Sequence, residues 1–153
     1  MIVKMIVSDA AGRKRNLAKA DVCNAYPNGR TQRPKRAMRC PAICLDTDED
    51  GTEMVLVIGP PQYGEHEAGR EWYNTLAEDL TEFGWQAVEN VPCLWTFENE
   101  TNHCILGTIV DDMLFSESGG FDIFDATVEF LRGKYPSGVK SEREPTAYMR
   151  GTR

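Results

Sequence analysis

Asp111 and Asp112 stand side by side in a stretch that is otherwise apolar, with Ile109-Val110 before them and Met113-Leu114-Phe115 after. Two adjacent carboxylates in such a setting repel one another and lose hydration, so they require a cation or a set of hydrogen-bond donors. A divalent metal supplies that neutralisation, although tandem acidic residues also occur in ordinary surface turns. Asp21 adds weight to the metal, because it too ends an extended apolar segment. Tyr26 follows closely enough to line the same cavity.

Other candidate donors are weaker. Cys40 and Cys44, with His66 and His103, have the residue types of a zinc site, but one cysteine pair with three intervening residues carries little information. The five cysteines are odd in number and scattered, which suits free thiols rather than a disulfide framework. The acidic run 46–51 lacks the distal glutamate of a helix-loop-helix calcium site and reads as a solvated turn. Asn99-Glu100-Thr101 has the form of a glycosylation acceptor and is expected to be a hairpin turn.

These residues need a scaffold, and the apolar spacing outlines one. Ile2, Val3, Ile6, Val7 and Ala10 follow helical spacing up to Gly12. Residues 17–23 predict a strand, closed by a Pro27-Asn28-Gly29 turn, and residues 54–58 predict another. Trp72, Leu76, Leu80 and Phe83 share one face of a helix over 68–83, with Gly84 as its cap. Residues 94–97 and 104–110 predict a hairpin whose polar turn is 98–102, and residues 113–115 a further strand. That order places Asp111-Asp112 at a sharp turn. A second amphipathic helix carries Phe124, Val128, Leu131 and Tyr135 and stops at Pro136, and a short strand follows. The expected class is α/β (α+β), an antiparallel sheet packed on helices, in one domain over 1–153.

The length and 41% hydrophobic content suffice for one core. With neither a membrane-length apolar run nor a signal-peptide cleavage pattern, a soluble intracellular protein with no membrane partner is expected. The net charge of −7 is uneven. Residues 1–40 hold ten Lys or Arg against two Asp, leaving seven basic and twenty-two acidic residues for the rest. Arg30, Arg33, Lys35, Arg36 and Arg39 form a basic stretch that either contacts phosphates or is a solvated loop. The acidic remainder disfavours a free-standing nucleic-acid binder.

Three spaced blocks carry a family resemblance. They are Ala20-Asp21-Val22-Cys23-Asn24-Ala25-Tyr26 with Asn28-Gly29; Tyr63-Gly64 leading into Ala68-Gly69-Arg70-Glu71-Trp72-Tyr73; and Val110-Asp111-Asp112. In this order the chain resembles copia-type retrotransposon reverse transcriptases, over nearly all its length except 30–44. Residues 131–135 look like the family's next helix and 147–151 like the strand near its primer grip.

The resemblance implies the palm of an RNA-directed DNA polymerase, with most of the fingers and any thumb or RNase H region absent, as in a fragment or degenerate copy. It implies Asp21, Asp111 and Asp112 as catalytic metal ligands for magnesium, with manganese as a substitute. It implies Tyr26, Val22, Tyr63 and Gly64 at the nucleotide, the ring of Tyr26 crowding the sugar 2′ position. Arg70 and Trp72 are expected to be structural. The partners would be an RNA or DNA template-primer and a deoxynucleotide, and the apolar surface left by missing subdomains favours a homo-oligomer. The chain departs from the family at Ile109, where a tyrosine is usual, at Glu67, where a glutamine is expected, and throughout 27–44. The competing expectation is a catalytically inactive relic serving as an interaction module.

Overall fold

The computed structural model describes residues 2–31, 33–39, 47, 49–52 and 54–144. The helical spacing at the start produces α1 (Ile2–Arg13), and β1 (Asn16–Val22) follows. Where a turn was expected at 27–29, the chain makes a single helical turn, α2 (Ala25–Asn28). Pro27 is tolerated because a first helical turn has no internal use for its missing N–H. The basic stretch is not simply a loop: β2 (Arg36–Arg39) pairs antiparallel with β3 (Val55–Ile58) as a separate two-stranded sheet. Its apolar residues stay exposed, including Met38, Val55, Leu56 and Val57.

The long amphipathic helix α3 (Ala68–Phe83) buries Trp72, Leu76 and Leu80 as its spacing predicts, and closes at Gly84 in the left-handed region. After the short β4 (Gln86–Ala87), β5 (Leu94–Glu98) and β6 (His103–Ile109) form the expected hairpin. Asn99 Oδ1 accepts from the Thr101 and Asn102 amides there, making 99–102 a side-chain-stabilised turn. Two residues, Val110 and Asp111, then join β6 to β7 (Asp112–Glu117). The last elements among the described residues are α4 (Asp122–Lys134) and β8 (Val139–Arg143). The zinc candidates Cys40 and Cys44, part of the acidic run and the strand expected at 147–151 lie outside the described residues.

The main sheet has six strands in the order β4-β5-β6-β7-β1-β8, and every neighbouring pair is antiparallel. The fold is therefore mixed α/β, as expected. Ala18, Ala20 and Val22 alternate onto the face where Leu106, Met113 and Phe115 meet Trp72, Leu76 and Leu80 of α3 and Phe124, Val128 and Leu131 of α4. The opposite face is partly covered by α1. A Cβ on Gly107 would lie 2.5 Å from Ile6 Cδ1 and 2.6 Å from Ile2 Cγ2, so only glycine admits the helix at this distance. Among the described residues, no helix is long and apolar enough to cross a membrane.

Two buried polar devices hold the helices. Glu117 accepts the Ile123 and Phe124 amides, both at 2.9 Å, and so caps α4 from β7 instead of from the preceding loop. Its burial pushes the carboxyl up from its ordinary range, against the pull of the two amides. Asp79, 1% exposed on α3, accepts Tyr135 Oη at 2.7 Å and Arg30 Nη2 at 2.8 Å. Burial raises the Tyr135 phenol, with its bond to Asp79 adding to the shift.

Candidate functional site

Asp21 is the penultimate residue of β1 and Asp112 the first of β7, and strand register makes them Cα partners. Val22 N donates to Asp111 O at 3.1 Å, one step beyond them. That bond makes Asp21–Asp112 a non-hydrogen-bonded pair, the class with Cα atoms about 4.5 Å apart and side chains closest. Both side chains leave the sheet on the face opposite α3 and α4, because Ala20 and Met113, one residue back on β1 and one forward on β7, are buried in the core. Asp111 sits in the adjoining turn. The three aspartates thus share one corner of the sheet through their backbones.

The same face supplies positive charge that the sequence alone did not single out. Lys19 Nζ is 3.5 Å from Asp112 Oδ1, and Lys140 on β8 is the cross-strand partner of Asp21. Lys19 stands two residues before Asp21, so strand alternation puts both on one face; Lys140 required the register of β8. Lys19, Asp21, Lys140, Ser141 and Glu142 line a cleft of about 240 Å³. Facing carboxylates destabilise a sheet, and the lysines offset part of that repulsion.

The turn itself is strained. Val110 has φ of 57°, a left-handed conformation that β-branched residues rarely adopt. Trp72 Nε1 donates to its carbonyl at 2.6 Å. The structural role expected for Trp72 is thereby given a specific form: α3 holds the backbone of the turn that carries Asp111.

The proposed nucleotide residues divide. Val22 is 1% exposed and packs in the core, so its side chain cannot reach the cleft and only its backbone lies beside the aspartates. Tyr26 and Tyr63 pack with ring centroids 4.7 Å apart and planes tilted by 38°, and the Tyr26 hydroxyl approaches Gly69 at the start of α3. Gly64, with φ of 91°, is in the exposed turn beside Tyr63. Asn28 Nδ2 bonds the carbonyls of Cys23 and Asn24 and fixes the connection that delivers Tyr26. Compared with known proteins, the chain matches no family model, no curated protein and no solved structure.

The basic stretch is largely committed within the chain. Arg30 pairs with Asp79 and Glu78, Arg33 with Glu71 at 2.6 Å and with Glu65, and Arg36 with Glu65 at 2.7 Å. Arg33 and Arg36 hold the Glu71 and Glu65 carboxyls below the usual range. These arginines therefore tie Arg30 and residues 33–36 to α3 and its approach. This internal use weakens a phosphate-binding role for the stretch.

For a metal, the donor chemistry fits while the arrangement fits in part. The Asp21 and Asp112 carboxylates offer hard oxygen ligands of the kind magnesium takes. Among the described residues, however, no three His, Cys, Asp or Glu side chains converge on a common point, and Asp112 is already paired with Lys19.

Proposed function

We propose that the chain is the palm of an RNA-directed DNA polymerase of the copia-type retrotransposon kind, joining a deoxynucleotide to a primer 3′-hydroxyl. The observation that carries this is the Asp21–Asp112 pair, set on the sheet face away from α3 and α4 with Asp111 in the neighbouring turn. A strained Val110 supports it, because backbone strain of this kind persists where the surroundings enforce it and clusters at functional sites. Magnesium held by Asp21, Asp111 and Asp112 would supply charge neutralisation to the transferring phosphoryl group. Lys19, which pairs with Asp112, and Lys140, the cross-strand partner of Asp21, would meet nucleotide or primer phosphates beside those carboxylates. The tilted Tyr26–Tyr63 pair would form the wall against the sugar.

The second reading is a retroelement-derived relic that acts as an interaction module. It is favoured by the Lys19–Asp112 ion pair, which neutralises one proposed metal ligand from within the chain. Primer extension on an RNA template with magnesium separates the two. Incorporation that disappears in Asp111→Ala supports the polymerase. A folded wild-type chain that incorporates nothing supports the relic.

A further inference from the structure

The two carbonyls of the β6–β7 turn are both tethered, and the tethers come from two different elements. The Asp111 carbonyl accepts from Val22 on β1, while the Val110 carbonyl accepts from the Trp72 indole on α3. Trp72 is 1% exposed, and its ring packs on Tyr135 at 5.2 Å between centroids, so the donor is held on a rigid wall. Val110 needs such a tether. Its β-branched side chain disfavours a φ of 57°, and a residue held there relaxes when its surroundings cease to enforce the conformation.

We propose that Trp72 is a positioning residue that sets the Asp111 carboxylate by holding the Val110 carbonyl, with α3 and β1 acting as two jaws on one turn. The catalytic consequence rests on the polymerase reading; the mechanical one does not. Trp72→Phe keeps an aromatic ring against Tyr135 and removes only the donor. Val110→Gly relieves the strain and makes the turn independent of the tether.

Amide hydrogen exchange resolved by residue tests the mechanical part. Trp72→Phe is expected to speed exchange about tenfold at the amides of Asp111, Asp112 and Met113, leaving β5 and α4 unchanged, and to do much less in a Val110→Gly background. Unaltered exchange at the turn, or an equal increase throughout the sheet, overturns the proposal. Should Trp72→Phe fail to fold, Val110→Gly alone decides: the Trp72 indole N–H resonance should move while that of Trp85, bonded to Thr127, stays. An unmoved Trp72 resonance overturns the tether.

In primer extension, Trp72→Phe should lower kcat about tenfold with KM for the deoxynucleotide unchanged, since misplacing a reacting group costs rate more than binding. An active variant with unchanged kcat overturns the positioning role. An inactive wild type instead removes the polymerase reading, and the exchange data still judge the tether.

Discussion

Asp21 and Asp112 face one another across β1 and β7 at the closest spacing an antiparallel ladder allows, with Lys19 and Lys140 beside them. A cation that binds this corner in the folded chain alone must raise its stability by mass action. Millimolar magnesium is therefore expected to raise the Tm of the wild type, by the equivalent of about 2.7 kcal/mol at one hundred times Kd. The shift should vanish in Asp21→Asn and in Asp112→Asn. Equal shifts in all three proteins would show that magnesium acts elsewhere.

The cap on α4 makes a second prediction. Glu117→Ala removes the acceptor for two buried amides and leaves a void, which should cost about 2–3 kcal/mol in urea denaturation. Glu117→Gln keeps one oxygen acceptor and should lose less. Loss of under about 0.5 kcal/mol on truncation to alanine would show that the amides find other acceptors.

Glu117 also gives a pH signature. Its folded carboxyl is raised by burial, so the proton-linked part of its contribution, apart from the amide bonds themselves, is fully present below the ordinary value of 4.5 and is lost as pH rises through the raised value. As pH rises above the ordinary carboxyl range, stability should fall less steeply in Glu117→Gln than in the wild type. Parallel profiles would contradict the assignment.

Glu71 and Glu65 have the opposite sign. Arg33 and Arg36 depress their carboxyls, so their contribution is present above 4.5 and is lost as pH falls through the lower folded values. Acidification should release residues 30–36 from α3 before the core opens, seen as early amide exchange in that segment. Glu71→Gln should show the same release at neutral pH. Simultaneous exchange of the segment and β6 would argue against a separable clamp.

Gly107 sets the approach of α1. Gly107→Ala should destabilise by about 1–3 kcal/mol, the usual penalty for overpacking. Trimming the facing side chain with Ile6→Val removes the atom nearest the new methyl, so the double variant should be more stable than additivity allows. Additive costs would mean that α1 shifts as a body instead.

The long-range features were unequally legible. Spacing of Trp72, Leu76 and Leu80 on one side, and of Phe124, Val128 and Leu131 on another, announced α3 and α4, because a helix buries a stripe whose period is local. The β5–β6 hairpin was equally plain. Strand β2 was not: its residues Arg36-Ala37-Met38-Arg39 are mixed and mostly exposed, so no alternation marks them. The basic stretch resembled a phosphate surface because the glutamates that pair with Arg33 and Arg36 lie roughly thirty to forty residues away. Val22 lies in the block that resembles the nucleotide residues, yet alternation with Asp21 turns its side chain into the core.

Local sequence sufficed for the long helices, the β5–β6 hairpin, the mixed α/β class and which carboxylates stand in apolar surroundings, since propensity, periodicity and residue chemistry reside in neighbouring positions. Which of those carboxylates meet, and what neutralises them, was decided only when β1 entered the sheet between β7 and β8. Register is a property of pairs of strands: burying Ala20 against the helices on one face obliges Asp21 to stand opposite Asp112 and Lys140 on the other.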